Sequence, residues 1–403
     1  MVTTAAPLAL DGTLVVDFTR YVSGSYATML LSSLGANVIK VEPPGGGDPY
    51  RGQGTSSIAG ESTLFVGLNA GKRSLAVDMK SAQGREVIER LLAKADVFAE
   101  NARPGSLNSL GLDYDSLAAR HPGLVYLSVS AYGNDGPRAS KGGFDLTLQA
   151  ASGLMSVTGI EGAEPMKVGA PVLDIGSAVC AVLATLAALI SRQRTALGCH
   201  VTSSLFEFGL ATLTSMATGI DNTGDVPRPL GSHSPSFAPY GAFRTASGYV
   251  VLAGAGNETL WQKLCQSIGR PDLVTDPRYL TNADRLRHRD ELTHDLETAL
   301  ASATAVQWVA TFETQGVPAE LVADVGQVLK SEDAAVLGML QRMTTDDGSY
   351  VCVAPPFSLG QRPVYPRAAP RLGEHTSELL LGLGYDLAEI TELSNAGIVE
   401  VAT

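Results

Sequence analysis

Cysteine is scarce in this chain: there are four, Cys180, Cys199, Cys265 and Cys352, widely spaced and with no C-x-x-C pair. That pattern excludes a disulfide framework and a thiolate zinc site and reads as reduced thiols. The six histidines (121, 200, 233, 288, 294 and 375) show no metal-ligand spacing either, so no metal is expected. Positive charge is also short, with 29 Lys+Arg against 41 Asp+Glu and a formal net charge of −12. Such a surface argues against nucleic acid or an anionic membrane as partner, while leaving room for a local basic pocket. Long hydrophobic runs are lacking. The longest, Ile175 to Ile190, falls short of the roughly 20 residues that span a bilayer and reads as a buried, Ala-rich helix. Met1 to Leu10 has neither the basic start nor the apolar stretch of a signal peptide, so a soluble cytoplasmic enzyme is the expectation. There is no P-loop and no Gly-x-Ser-x-Gly elbow. Gly254-Ala255-Gly256 opens like a dinucleotide fingerprint, but Thr259 stands where the third glycine belongs.

What is present is a chain of 403 residues, 45% apolar and 17% charged, enough for two or three domains with a large core. Its N-terminal half alternates strand and helix signals. Strands are expected at Thr13–Phe18, Ala36–Val41, Ser74–Val77, Asp96–Ala99 and Leu124–Ser130. Helices are expected at Tyr26–Leu34, closed by Gly35, and at Ala82–Lys94. Strands separated by helices imply right-handed βαβ units and a mostly parallel sheet, whose ligands collect at the carboxyl ends of the strands. The loops after Phe18, Val41, Ala99 and Ser130 are therefore the ones to watch. The long loop Pro43–Gly60, with Gly45-Gly46-Gly47, invites a functional reading or a plain surface excursion. Asp221–Ser236 reads as a linker. A hairpin around Ser247-Gly248 and helices at Glu258–Ile268, Arg285–Ala303 and Ala305–Gln315 then form a smaller α+β unit, and a short helix follows at His375–Leu383. Asp174 precedes the apolar helix expected from Ile175. There it serves as an N-cap, and the helix dipole should hold its carboxyl ionised with a depressed pKa.

The residues alone reach an α/β enzyme with a second small domain, and not a reaction. A set of segments carries it further. They are Val16-Asp17-Phe18-Thr19-Arg20 with Gly24, Leu34-Gly35-Ala36-Asn37-Val38-Ile39-Lys40-Val41-Glu42, and Leu68-Asn69-Ala70-Gly71-Lys72-Arg73-Ser74. Next come Ala95-Asp96-Val97 leading to Glu100-Asn101-Ala102-Arg103-Pro104-Gly105, then Gly143-Phe144-Asp145, and Val168-Gly169 through to Asp174. Gly316-Val317-Pro318 and Leu372-Gly373-Glu374-His375-Thr376 close the series. Together, and in this order, they resemble the family III CoA-transferases, a group with formyl-CoA transferase, carnitine CoA-transferase and the related α-methylacyl-CoA racemase.

The resemblance implies a large Rossmann-like domain, with a mostly parallel sheet, over 1–220, to which 335–403 returns. It implies a linker and small domain over 221–334, and a homodimer of interlocked rings. It implies a transferase that moves CoA, as an acyl-CoA, to a small carboxylic acid through aspartyl anhydride and aspartyl-CoA thioester intermediates. Asp174 stands at the family's nucleophilic aspartate, with Asp145 as a carboxylate beside it. CoA contacts are implied for Val22 and Ser23, for Val77, Asp78, Met79 and Lys80, for Asn101, Ala102 and Arg103, and for Lys141, Gly142, Gly143 and Phe144. Gly254, Ala255 and Gly256 correspond to a glycine-rich loop that shields the intermediate from water. Lys72 and Arg73 either approach the nucleotide or flank the turn at Gly71.

The chain also departs from its relatives. Racemases carry a histidine where this chain has Phe144, and a phenyl ring takes no proton from an α-carbon, which favours transfer over epimerisation. Formyl-CoA transferase has glutamine at the position of Val22, tyrosine at that of Phe144, and basic residues at those of Pro43, Ser109 and Gly142. Lys141 lies adjacent as a compensating charge. A more apolar pocket and a larger or less polar acyl group are therefore expected. An α-methylacyl-CoA epimerase and a non-catalytic acyl-CoA binding protein are the alternative readings.

Overall fold

The structure is a computed structural model that describes residues 8–58, 60–253, 257–346 and 348–402. It divides into two compact units, one of 1–153, 169–214 and 332–403, the other of 154–168 and 215–331.

The first unit is built on a seven-stranded sheet. Its strands are β1 (Leu14–Asp17), β2 (Asn37–Glu42), β3 (Arg73–Val77), β4 (Val97–Glu100), β5 (Val125–Ser130), β6 (His200–Ser204) and β7 (Val399–Glu400), in the order β7-β3-β2-β1-β4-β5-β6. All neighbours are parallel except β7, which runs antiparallel to β3. The five strands expected from β-branched runs fall within a residue or two of their predicted bounds. The inner strands are buried on both faces: Val15, Val16, Leu75, Val97 and Phe98 are all fully covered, as a parallel sheet between helices requires.

The helices that matter for function are α1 (Ser23–Ser33), α2 (Ala82–Leu92), α3 (Asp145–Ala151), α4 (Val172–Thr195) and α5 (Leu205–Ala211). Helix α2 starts where Ser81 Oγ accepts the Gly84 N–H at 2.9 Å, and its buried stripe Val87, Ile88, Leu91 and Leu92 joins the sheet core. Helix α4 is longer than the apolar run suggested. It is long and apolar enough by composition to cross a membrane. Here it packs against α1, α5, β5 and β6 through small residues such as Ser177, Ala178 and Ala181. Its end is tied down by Arg192, whose guanidinium meets Asp96 at 2.8 Å. Close packing is set at Gly176, where a Cβ would sit 1.9 Å from the Phe208 ring.

The second unit holds a three-stranded antiparallel sheet, Tyr249–Leu252 lying between Gly241–Arg244 and Ala319–Leu321. The helices Glu258–Ser267, Arg289–Leu300 and Ala305–Gln315 cover it around Trp261, Leu264, Leu296, Trp308 and Phe312. The single helix expected over Arg285–Ala303 is two, Asn282–Arg287 and Arg289–Leu300, broken at His288, whose φ and ψ of −107° and 37° leave the helical region. The excursion 154–168 joins this unit: Gly231 N–H donates to Gly159 O at 2.7 Å, and Arg228 pairs with Glu161 at 2.8 Å.

Candidate active site

The loops at the carboxyl ends of β1, β2 and β4 are braced from below by buried charge. Asp17, at the end of β1, accepts from Thr19 N and Oγ1 at 2.9 and 2.6 Å, from Thr28 Oγ1 at 2.8 Å and from Lys72 Nζ at 2.9 Å. Lys40 Nζ donates to Thr19 O at 2.7 Å and pairs with Asp48 at 2.9 Å. All four charged groups are essentially inaccessible. Burial alone would raise the Asp17 carboxyl, but Lys72 and Lys40 outweigh it and hold it below its usual range. Burial, with repulsion from Lys40, pushes Lys72 down to about 8, against the pull of Asp17. Lys72 is therefore a scaffold residue that faces no nucleotide, and Arg73 is engaged with Glu378 at 2.9 Å. The Pro43–Gly60 loop is anchored in the same way. Arg51 grips Glu42 with Nε and Nη2, each at 2.8 Å, and lies 3.7 Å over the Phe65 ring.

On this base the two candidate carboxylates come together. Asp145 is the first residue of α3, and its Oδ2 accepts the N–H groups of Leu173 at 2.8 Å and Asp174 at 3.2 Å, while Oδ1 accepts from Gln149. Asp145, and not Asp174, therefore satisfies the amides at the head of α4. Asp174 is the third residue inside that helix. Its carboxyl is half-buried, with Ser23, the first residue of α1, among the groups that act on its charge.

This overturns the expected depressed pKa. Burial, reinforced by the neighbouring Asp145 charge and opposed by Ser23, pushes Asp174 up to about 7. A carboxylate 29 positions earlier occupies the N–H groups at the head of α4, so the helix N-terminus does not depress Asp174.

The other expected site residues fall into groups. Val22 is the residue preceding α1. Asn101 clamps the β1 loop to the β4 loop, its Oδ1 accepting from Arg20 N at 2.8 Å and its Nδ2 donating to Arg20 O at 2.7 Å. Ala102 N donates to Glu100 at 2.7 Å. Arg103 is exposed and lies against Gly142, where a Cβ would be 3.4 Å from Nε. Lys141 is exposed, 5.8 Å from the Tyr132 ring centre. At Gly143 a Cβ would meet the Leu148 side chain at 2.3 Å, so any larger residue there requires Leu148 to shift. Phe144 is 65% exposed, an unusual position for a phenyl ring.

The segment Val77–Lys80 ends β3, two strands away from β1. Val77 is fully buried, Met79 packs on the core beside it, Asp78 accepts from Lys80 N at 3.0 Å, and only Lys80 reaches well into solvent. Gly254, Ala255 and Gly256 lie outside the described residues. Among the described residues no group of His, Cys, Asp or Glu is arranged to hold a metal.

Sequence reasoning missed two rings. Tyr21 packs edge-on against Tyr50 at 5.2 Å and against Phe144 at 5.8 Å, so three loops contribute one aromatic row beside the carboxylates. The length of the Pro43–Gly60 loop is a signal for a functional segment, but nothing in the sequence singles out Tyr50 within it. A cavity of about 190 Å3 lies beside the β4 loop, lined by Glu100, Arg103, Tyr114, Ser128, Asn134 and His200. Another of about 210 Å3, lined by Tyr350, Arg367, Arg371 and His375, contains none of the expected site residues.

The carboxyl edge of the parallel sheet thus gathers two carboxylates, a clamped loop with an exposed arginine and an aromatic row in a protein of the α/β class. The chain belongs to the CoA-transferase family III, whose model matches residues 10–376. It is 36% identical over 403 residues to an acyl-CoA transferase of Fusarium pseudograminearum, covering 97% of this chain and 88% of that protein. It is 33% identical over 398 residues to the human succinyl-CoA:glutarate CoA-transferase, covering 97% and 90%. Among solved structures, a CaiB/BaiF family protein from Brucella suis superposes with a TM-score of 0.85 at 32% identity, covering 94% of this chain and all of that one.

Proposed function

We propose that this chain is an acyl-CoA:carboxylate CoA-transferase in which Asp174 is the nucleophile. The observation that carries the reading is the environment of Asp174: a half-buried carboxyl with Asp145 on the adjacent amides and a pKa raised to about 7. A carboxylate with that pKa is more basic than an ordinary one and still substantially ionised at neutral pH, which suits a nucleophile.

In the forward half-reaction a carboxylate oxygen of Asp174 attacks the thioester carbonyl of the donor. The C–S bond breaks, CoA leaves as thiolate with the electron pair, and a mixed anhydride remains. The thiolate then attacks the aspartyl carbonyl, releasing the donor acid and leaving an aspartyl-CoA thioester. The acceptor acid reverses the sequence. Asp145 holds the α4 amides and, by its charge, keeps Asp174 reactive. Arg103, Lys141 and Lys80 are the cations offered to the CoA phosphates. The glycine loop 254–256 shields the anhydride, and the protein works as an interlocked homodimer in the cytoplasm. The Phe144 ring beside the carboxylates supports acyl groups larger or less polar than formyl.

Incubation with acyl-CoA and hydroxylamine, followed by mass spectrometry, tests the mechanism. A hydroxamate on residue 174 is expected, and its absence with every donor, or normal turnover by Asp174→Asn, overturns the proposal. A donor panel in which formyl-CoA and oxalate prove best overturns the acyl preference. Epimerisation would announce itself as deuterium entering the α-carbon in heavy water without any acceptor acid. A pure binding protein would show no turnover for Asp174→Ala to abolish.

A further inference from the structure

Tyr50 is held with more care than a loop aromatic needs. It is the middle residue of a single turn, Pro49–Arg51, whose first N–H groups are capped by Asp48, the Tyr50 N–H donating to Asp48 Oδ1 at 3.0 Å. Asp48 is itself ion-paired with buried Lys40, and its N–H donates to Glu42 Oε1 at 3.0 Å. On the other side Arg51 is gripped by Glu42 and bonds Glu61 at 2.6 Å. Both flanks of Tyr50 are thereby welded to the end of β2.

Its ring rests on the edge of Tyr21, and Tyr21 is itself unusual. Among the described residues only Tyr21 and Ala196 combine a side chain with left-handed backbone, and Ala196 merely ends α4. Tyr21, at φ 61°, sits in the loop two residues before Ser23, where α1 begins. Backbone of that kind costs of order 1 kcal/mol and persists where surrounding contacts demand it. Here it turns the Tyr21 ring toward Tyr50 on one side and Phe144 on the other. The Tyr50 hydroxyl, half-buried, has no hydrogen-bond partner among the described residues. Burial, together with the charges of Asp174 and Asp48 and the neighbouring Tyr21, raises its pKa, so the phenol keeps its proton through neutral and mildly alkaline pH. It is close enough to Asp174 to feel its charge, yet does not bond it.

We propose that Tyr50 is a catalytic residue of the transfer reaction, its phenol O–H donating a hydrogen bond to the oxyanion that forms on the carbonyl attacked by Asp174. The inference rests on the reading of Asp174 as nucleophile. In this step the Asp174 oxygen forms the new C–O bond, and the carbonyl π pair moves onto oxygen, where Tyr50 stabilises it without giving up its proton. Return of that pair expels the CoA thiolate. A donor O–H held in the aromatic row beside the carboxylates, with no hydrogen-bond partner among the described residues, is what such stabilisation requires.

Single-turnover acylation of the full-length protein, followed by thiol release on mixing with acyl-CoA in the absence of acceptor, tests the assignment. Tyr50→Phe keeps the ring on Tyr21 and removes only the hydroxyl. It is expected to slow thiol release by about 10²-fold, the usual effect of losing one oxyanion donor. The dissociation constant for an S-alkyl-CoA thioether, which has no carbonyl, should stay within about twofold, because a transition-state contact leaves ground-state binding alone. The melting temperature should not move. Unchanged thiol release in Tyr50→Phe overturns the proposal, and so does thioether binding weakened by the same factor as acylation. Absence of thiol release in the wild-type protein, or its persistence in Asp174→Asn, points instead to failure of the nucleophile reading.

Discussion

The chemical character of Asp174 is set by a second carboxylate, Asp145, whose Oδ2 accepts the Asp174 N–H at 3.2 Å. The place of Asp174 at the head of an apolar helix could be read directly from the chain, but its protonation depends on Asp145, brought to it only by the fold. With Asp145 on the amides, Asp174 is left with burial and a like-charged neighbour. On the proposed mechanism the acylation rate should therefore rise with pH through a midpoint near 7, since the ionised form attacks. Asp145→Asn removes the repulsion and should move that midpoint to lower pH in a stopped-flow pH series, whereas an unmoved or higher midpoint would contradict the electrostatic account. Stability carries the opposite sign. A carboxyl raised from 3.8 to about 7 in the folded state favours folding below the unfolded value, and the benefit is lost as pH climbs through 7. Asp174→Asn should therefore raise stability at pH 8 by about 1–3 kcal/mol, after discounting for solvent screening, and change little at pH 4. Thermal melts at the two pH values decide it, and equal effects at both would refute the linkage.

At the scale of elements, strands β1 to β5 announced themselves because buried parallel strands are runs of β-branched and aliphatic residues. Strand β6, His200-Val201-Thr202-Ser203-Ser204, did not, because an edge strand needs less hydrophobicity, and the two-residue β7 is too short to show a period. The charged network beneath the site was equally hidden: Asp17, Lys40, Asp48 and Lys72 come from four separate segments, and nothing in their spacing says that they meet. Their burial makes them sensitive. Lys72→Met keeps the volume but strands the Asp17 carboxylate in the core with one cation fewer, which should cost about 3–5 kcal/mol. Asp17→Asn in the same background removes the stranded charge and should recover part of the loss. Urea denaturation of the single and double variants measures both, and a double variant no better than the single would show that pairing is not what the network contributes.

At the scale of the molecule, the second unit takes in 154–168 as well as 215–331, and that recruitment rests on contacts such as Arg228 with Glu161 that no local pattern encodes. The second unit has its own organising charge, Arg285, fully buried within it. Its guanidinium donates to Ala238 O at 2.8 Å, to Tyr279 O at 3.0 Å and to both oxygens of Glu258 at 2.8 and 3.0 Å, and lies 5.1 Å from the Trp261 ring centre. Arg285 was read only as the first residue of a helix. Its partners lie 6 to 47 positions away, so the sequence offered no sign of the cluster. Arg285→Ala leaves two buried carbonyls without donors and Glu258 without its cation, and should destabilise the protein by about 3 kcal/mol. Both tryptophans of the chain, Trp261 and Trp308, lie in this unit's core, so their fluorescence reports on its unfolding directly. The expected result is a fluorescence-detected urea midpoint well below that of the wild type, with Arg285→Lys falling between the two because an ammonium replaces the charge but not the planar fork. If Arg285→Lys were as stable as the wild type, the cluster would be held by charge alone, and the geometric argument for arginine would fail.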